Sequence, residues 1–517
     1  MNKKPIFVID TNVAIDYPNI IPNGAETLPD EPTVDTSEAH IVVPVAVIHE
    51  LSKFKKESSD RGEASRNVLR RIRKLVEGKD LAIADVYKLA APITFEYCQR
   101  LFSVLPVPKT FVGEVELFKP GDKDMDDQII LATLLAKKHA DDSEVTLLTN
   151  DNGLAICAAA NGIKTSRYGY RYPAPYTGRR DNVAVPFDLY HLWAKNHKIT
   201  LEEWNEHMPE EPKLSANEFI IMTPIDWRDH IQQFSNIGRF DPKTEEIVPL
   251  RCAFDFPTEI KYPGHACYAE ALYNPDIKVV LASGVAGTGK TFMATVYSYM
   301  SAKAGDYIGV IAVIRTQEND GVGYLPGELS SKLDPNAQPM KVALRNFFIQ
   351  TDKDVIKRMN KMQNKKKGAN GNNNESGDGE EKPENKSVAK YLAEKVNLTW
   401  ENWVEEVAVP HVKGRDFAYH VVIVDEPQDL TGRNADTVIK RFGRNGKMIF
   451  AGDLLQIHSQ YSDEYNNGLS YLSRLLKDDE EVAHILLYPE EVMRDDLVMR
   501  ITKRQQAARE EAHKVDS

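Results

Sequence analysis

Short apolar runs alternate with stretches of helical period along most of this 517-residue chain, a pattern that predicts an α/β protein. In the first 170 residues, Ile6-Phe-Val-Ile9, Ile41-Val-Val43 and Val145-Thr-Leu-Leu148 read as buried strands of a parallel sheet covered by helices. Between Arg66 and Val76 the period is helical: Val68, Leu69, Ile72, Leu75 and Val76 share one side, Arg66, Arg70, Arg73 and Lys74 the other. That basic face suits either phosphate contact or plain solvation. The runs Ile277 to Ala282, Val421 to Val424 and Met448 to Ala451 predict a second parallel sheet.

Breaks in the pattern divide the chain into 1–170, 171–251 and 252–517. Residues 167–180, RYGYRYPAPYTGRR, interleave arginine and tyrosine with Pro and Gly, which fits a base-stacking, phosphate-binding loop or an interdomain linker. The stretch that follows carries Trp193, Trp204, Trp227 and the run Phe219 to Met222, so it is expected to fold, without a role that can be assigned. Residues 364–387 hold almost no apolar side chain and are expected to form a disordered surface insertion within the last domain.

Composition narrows the function classes. Acids outnumber bases by 77 to 65, so any nucleic-acid surface must be local rather than a global basic footprint. Cys98, Cys157, Cys252 and Cys267 lie far apart with no C-x-x-C pair, which speaks against a disulfide framework or a zinc site and fits a reducing cytoplasm. Asp10 interrupts the first apolar run too early for a signal peptide, and no later span is long enough for a membrane helix. The expectation is a soluble intracellular protein with no membrane partner.

The most specific chemistry is Gly284-Val-Ala-Gly287-Thr288-Gly289-Lys290-Thr291, set between a predicted strand and a predicted helix. Glycines there let backbone N–H groups close around phosphate oxygens at a helix N-terminus, with Lys290 on the terminal phosphates and Thr291 on magnesium. Asp425 and Glu426 follow another apolar strand, where a phosphate-loop enzyme needs a metal-binding acid and a carboxylate that orients the attacking water. Gln456, after the strand Met448 to Ala451, is placed to sense the γ-phosphate.

The DEPQ motif at Asp425 to Gln428 and GDLLQ at Gly452 to Gln456 resemble those of superfamily 1 helicases. With Ile314-Arg315, Gly323-Tyr-Leu-Pro-Gly327, Lys413-Gly-Arg415 and Val492-Met-Arg494-Asp-Asp, the chain from about Pro263 to Arg500 resembles the PhoH family of ATPases. The resemblance implies a P-loop, RecA-like α/β domain that binds ATP with Mg2+ and assembles as a homo-oligomeric ring, a hexamer. It makes Arg494 the finger that completes a neighbour's site and Arg315 and Arg415 lesser candidates. Two departures stand: the family's D-E-A-Q-N is here Asp425-Glu-Pro-Gln-Asp429, and its adenine-reading glutamine is replaced by His265.

In the first domain Asp10, Glu50, Asp126 and Asp151 fall at strand ends or helix starts, from which four acids can converge on one edge of a parallel sheet and hold Mg2+ or Mn2+. Helix capping by Asp10, Asp126 and Asp151 with a solvated Glu50 explains the same spacing. Asp10-Thr-Asn12, Pro44 with Glu50, Asp126-Asp-Gln-Ile129 and Thr149-Asn-Asp151 resemble, in order, the motifs of PIN-domain nucleases over about residues 5 to 166, which implies an α/β/α sandwich. The combined arrangement resembles PIN-PhoH proteins and implies an ATP-dependent RNA helicase that also cleaves single-stranded RNA at a metal site. An ATP-dependent RNA-remodelling protein with a non-cleaving first domain, and a nucleotide-gated switch, are the alternatives.

Overall fold

The computed structural model describes residues 4–21, 31–36, 39–57, 60–77, 92–97, 100–114, 124–140, 143–171, 176–228, 230–314, 329–369, 388–454, 456–457, 467–493, 499–501 and 503–504. Chain contacts divide it into two units, Met1–Pro173 and Ala174–Ser517.

In the first unit the apolar runs become β1 (Ile6–Ile9), β2 (His40–Pro44), β3 (Ile93–Tyr97), β4 (Arg100–Leu105), β5 (Val145–Leu148) and β6 (Lys164–Ser166). They form one sheet in the order β3-β4-β2-β1-β5-β6, parallel throughout except for the β3–β4 pair. Val8 pairs with Val42 on one side and Leu147 on the other, and the consecutive residues Phe7, Val8 and Ile9 are all buried, so the central strand is covered on both faces, as in a helix-covered sheet. The helices α1 (Thr11–Asp16), α2 (Val45–Phe54), α3 (Asp60–Glu77), α4 (Met125–Lys138) and α5 (Asn152–Ala160) complete the sandwich. The expected apolar side of α3 is buried through Val68, Leu69, Ile72 and Val76. On its basic side Arg70 and Arg73 are exposed, while Arg66 donates to the carbonyls of Lys55 and Glu57 and is a structural clasp.

The second unit begins with a sheet the apolar pattern did not reveal. Strands β7 (Arg179–Val185), β8 (Ile199–Thr200), β9 (Phe219–Pro224), β10 (Ile237–Asp241) and β11 (Glu246–Pro249) order as β8-β11-β10-β9-β7, antiparallel except for β9–β7. Trp193, Trp204, Phe240 and Ile247 share its core, which also takes in α6 (Phe187–Asn196) and α7 (Leu201–His207).

The larger sheet of the second unit comprises β12 (Val279–Gly284), β13 (Gly309–Ile314), β14 (Val404–Ala408), β15 (His420–Asp425), β16 (Lys447–Gly452) and β17 (Val482–Leu487). It is fully parallel in the order β14-β13-β15-β16-β12-β17. Helices α8 (Pro263–Tyr273), α9 (Lys290–Ala304), α10 (Leu329–Thr351), α11 (Lys353–Ala369) and α12 (Val388–Trp403) surround it with α13 (Gly432–Ile439) and α14 (Gly468–Leu475). One strand, β16, separates β12 from β15, so the ends of those two strands lie about 10 Å apart.

The disorder expected from residue 364 needs correction at its start, because α11 continues to Ala369. The lysine-rich run there extends an existing helix at little propensity cost. Residues 370–387 lie outside the described residues. No helix among the described residues is long and apolar enough to cross a membrane.

Candidate active sites

In the first unit β1 lies between β2 and β5, so the residues that follow these strands meet at one edge of the sheet. A cleft of about 460 Å³ opens there, lined by Asp10, Glu50, Asp124, Asp126 and Asp151. Asp10 is buried, accepts from the backbone N–H of Thr11, and accepts from the Thr149 hydroxyl at 2.9 Å. The Thr11 hydroxyl donates to Glu50 at 2.6 Å, and the Thr149 oxygen takes the N–H of Asp151 at 3.0 Å. Two threonines thus stitch Asp10 to Glu50 and to Asp151.

Capping and cleft lining turn out to be compatible. Asp10 caps α1, and Asp151 caps α5 by accepting from Gly153 and Leu154 through Oδ1 alone. The cap of α4 is Asp124, whose carboxylate accepts from the N–H of Asp126. The alternative of Asp126 as a cap is therefore corrected: it sits in the first turn of α4, with its carboxylate left to the cleft.

Burial lifts the Asp10 carboxyl to about 6; the bonds from Thr149 and Thr11 oppose this, and the charges of Asp126 and Glu50 add to it. Asp126 is also raised, by burial first and then by Asp124, Asp151, Glu50 and Asp127. A pit of mutually repelling oxygen donors is chemically suited to a hard divalent cation. The carboxylates do not yet form a ligand shell: among the described residues no group of three or more His, Cys, Asp or Glu is disposed to hold a metal ion.

In the second unit β12 ends at Gly284 and α9 begins at Lys290, with the phosphate-type loop between them. Gly287 and Gly289 have φ of 88° and 87°, which a side chain would strain, and a Cβ at Gly284 would lie 2.5 Å from the Leu487 carbonyl. Lys290 folds over the loop and donates to the carbonyls of Gly284 at 2.7 Å and Val285 at 3.0 Å. The Thr288 hydroxyl is turned inward onto Val285. Thr291 donates to Asp425 Oδ1 at 2.8 Å, bridging the one-strand gap between β12 and β15.

Burial and the adjacent Glu426 charge push Asp425 up to about 7, with Thr291 and Lys290 pulling the other way. A carboxyl raised in this way is chemically suited to neutralisation by a nearby cation. Glu426 sits at φ 54°, a left-handed conformation unusual for its type. It is held there by its N–H on the Ala451 carbonyl and by Gln428, whose amide donates to its carboxylate.

Gln428, the last residue of the DEPQ motif, ties together three groups at this edge, a role the motif does not reveal. Its amide also donates to the Gln456 carbonyl at 3.1 Å, and its Oε1 accepts from Asp453 N–H at 3.1 Å. It is fully buried, and a Cβ on Gly452 would collide with its Oε1. Gln456 itself is anchored by backbone and has an exposed side chain.

Other sequence expectations fare differently. His265 is buried, and its Nε2–H donates to the Thr288 carbonyl at 2.8 Å, so that edge serves the loop and not a base. Burial keeps the ring neutral by lowering its pKa. Arg415 is taken up in a surface pair with Glu405. Arg315, Gly323, Gly327 and Arg494 lie outside the described residues. Among the described residues of the arginine-tyrosine segment, Arg179 pairs with Asp181 and Glu491, Arg180 with Glu218 and Glu211, and Tyr168 is buried. Tyr176 packs edge-on to His484.

Comparison with known proteins agrees with this division. A PIN domain family model matches residues 7–169, and a PhoH-like protein model matches residues 259–506. "Protein PhoH2" of Bacillus subtilis (strain 168) is 24% identical over 482 residues, covering 91% of this chain and 93% of its own. A "PhoH-like protein" of Synechocystis sp. is 27% identical over 239 residues, 46% of this chain and 58% of its own. Another from Bacillus subtilis is 26% identical over 245 residues, 47% of this chain and 62% of its own. A solved domain of a functionally unknown protein from Methanocaldococcus jannaschii aligns with 33% of this chain and 96% of its own at 20% identity, with a TM-score of 0.18, too low to carry an argument. With the two models matched in this order, the chain carries an N-terminal PIN domain, a nuclease fold, and a C-terminal PhoH-like domain, types that generally imply nucleotide and divalent-metal use.

Proposed function

We propose that this chain hydrolyses ATP to move single-stranded RNA, as a helicase-type motor, and cuts RNA in its first domain. The observation that carries the ATPase half is the 2.8 Å bond between Thr291 and Asp425, which joins a loop hydroxyl to a strand-end carboxylate across an intervening strand. In this reading the backbone N–H groups of Gly284, Gly287, Thr288 and Gly289 wrap the phosphates, and Lys290 leaves its two carbonyls to meet the terminal ones. Thr291 and Asp425 hold Mg2+. Glu426, fixed by Gln428, orients the attacking water, and Gln456 faces the γ-phosphate. His265 acts by holding Thr288. Arg494 completes a neighbour's site in a ring of identical chains, a hexamer.

In the first domain Asp10, Glu50, Asp126 and Asp151 are the oxygens for Mg2+ or Mn2+. A divalent ion bound there supplies an activated water and neutralises charge on the cleaved phosphodiester. Thr11 and Thr149 hold Asp10, Glu50 and Asp151 in place. The free thiols Cys157, Cys252 and Cys267 suit a reducing compartment, and we place the protein in the cytoplasm.

ATP hydrolysis and cleavage of a labelled single-stranded RNA, assayed together for wild type, Lys290→Ala and Asp10→Asn, test the reading. The expected result is loss of ATPase in the first variant and loss of cutting alone in the second. One observation favours a second reading, an ATP-dependent RNA-remodelling protein that does not cut: the acids of the cleft form no ready-made metal-binding group among the described residues. Wild-type ATPase without metal-dependent cleavage would select it.

A further inference from the structure

The cleft that gathers the acids of the first unit also has two cations in its wall, Lys53 and Arg61. Lys53 comes from the last turn of α2 and is exposed. Arg61 comes from the first turn of α3, and its guanidinium lies over the Phe54 ring, 3.4 Å from the centroid. Although five carboxylates line the same cleft, among the described residues neither cation has an ion-pair partner.

A pit built only to hold a metal ion gains nothing from positive charges in its wall, since they repel the metal. A pit that must also hold a polyanion needs them, because its own acids repel the phosphates on either side of the bond to be cut. The two side chains suit different parts of that task. Arg61 is held over an aromatic ring, so little freedom is lost when its N–H groups engage a phosphate in two-pronged fashion. Lys53 is a mobile point charge that follows a flexible backbone.

The geometry points to Lys53 and Arg61 as the residues that bind the phosphates of a single-stranded RNA flanking the phosphodiester presented to Asp10, Glu50, Asp126 and Asp151. This rests on the nuclease reading above and adds its substrate-binding residues. Neither residue touches the reacting atoms, so their contribution is to KM.

The test uses the full chain with Mn2+ and a labelled single-stranded RNA, comparing wild type, Lys53→Ala, Arg61→Gln and the double variant between about 50 and about 200 mM salt. Each single substitution is expected to raise KM about fivefold to tenfold with kcat within about twofold. The slope of log(1/KM) against log salt should fall by about 0.7 for each cation removed. Mn2+ binding measured directly should be unchanged or tighter, which also shows that the variants fold. Unchanged KM and salt slope in both single variants would overturn the inference and leave the nuclease reading standing. If wild type does not cut, the nuclease reading falls, and cross-linking of 4-thiouridine RNA decides the rest. Loss of cross-links to α2 and α3 in the variants supports a phosphate-binding wall, and their persistence refutes it.

Discussion

Arg179 and Glu491, 312 positions apart, form a buried ion pair in which Nη1 stands 3.1 and 3.0 Å from the two carboxylate oxygens. Arg179 opens β7 of the small sheet, and its other edge grips Asp181 at 2.6 Å twice. Glu491 also accepts from Gly264 N–H at 2.7 Å and Tyr488 N–H at 2.9 Å. Two residues further on, Met493 N–H donates to the Gly287 carbonyl of the phosphate loop at 2.9 Å. The small sheet is therefore fastened to the segment that borders the loop and leads to Arg494. Glu491→Ala leaves Arg179 to Asp181 alone and the N–H groups of Gly264 and Tyr488 without their acceptor, so unfolding free energy of the second unit should fall by about 3–5 kcal/mol. Arg179→Met with Glu491→Leu should recover only the part of that loss that comes from the broken ion pair, because the N–H groups of Gly264 and Tyr488 still lack their acceptor. Urea denaturation of the two variants and wild type measures this, and equal losses in single and double variants would show that the pair is not the source.

Gln428→Leu keeps the volume and removes three hydrogen bonds, among them the one on the Glu426 carboxylate. RNA-stimulated kcat for ATP should drop about tenfold to a hundredfold, with KM within about twofold, since the residue acts on the orientation of Glu426 and not on nucleotide binding. Steady-state kinetics with circular dichroism as the folding control checks it. A rise in KM at unchanged kcat would contradict the positioning role.

Asp10 is an acid whose folded-state pKa, about 6, stands above its ordinary 3.8. Between those values the folded chain holds a proton that the unfolded chain has released, so stability falls as pH rises through the window. Above about pH 6 the whole cost stands, on the order of 3 kcal/mol. In metal-free buffer Asp10→Asn should therefore be more stable than wild type at about pH 7.5, with the gain vanishing below about pH 4. Thermal melts of both proteins in chelator across that range measure it. A stability difference that does not vary with pH would show that ionisation of Asp10 is not its cause.

Thr149→Val preserves shape and removes the hydroxyl that links Asp10 to Asp151. Partners that orient metal ligands are typically worth tenfold to a hundredfold, so Mn2+ affinity and RNA cleavage should both fall by about that factor while ATPase is retained. Manganese titration and the cleavage assay on one preparation test this. Wild-type Mn2+ affinity in the variant would remove Thr149 from the site.

Much of this was legible because it is written locally. The phosphate loop and the acids after β15 announce themselves by residue type within a few positions, and the apolar runs that became β1, β5, β12 and β15 are uniform enough to need no partner information. What escaped depends on distant partners. Charged residues interrupt β7, β10 and β11, and left-handed residues lie within or beside these strands (Asn182 in β7, Asn217 before β9, Glu245 before β11), so no sustained alternation marks them. Arg179 and Arg180 look like phosphate ligands until Glu491 and Glu218 are brought to them. Gln428 and Thr149 fall inside motifs legible in the sequence, but their roles do not follow from it, because their partners sit on segments distant along the chain.

Lys290 has one further consequence. Its ammonium occupies a pre-set seat among the carbonyls of its own loop, so nucleotide does not meet a vacant charge but trades places with two neutral acceptors. Each binding event is then an exchange, which tempers affinity and leaves a route back: when phosphate departs, the lysine has somewhere to go. A nucleotide-binding domain that must let its ligand go gains more from such a returning latch than from the tightest grip.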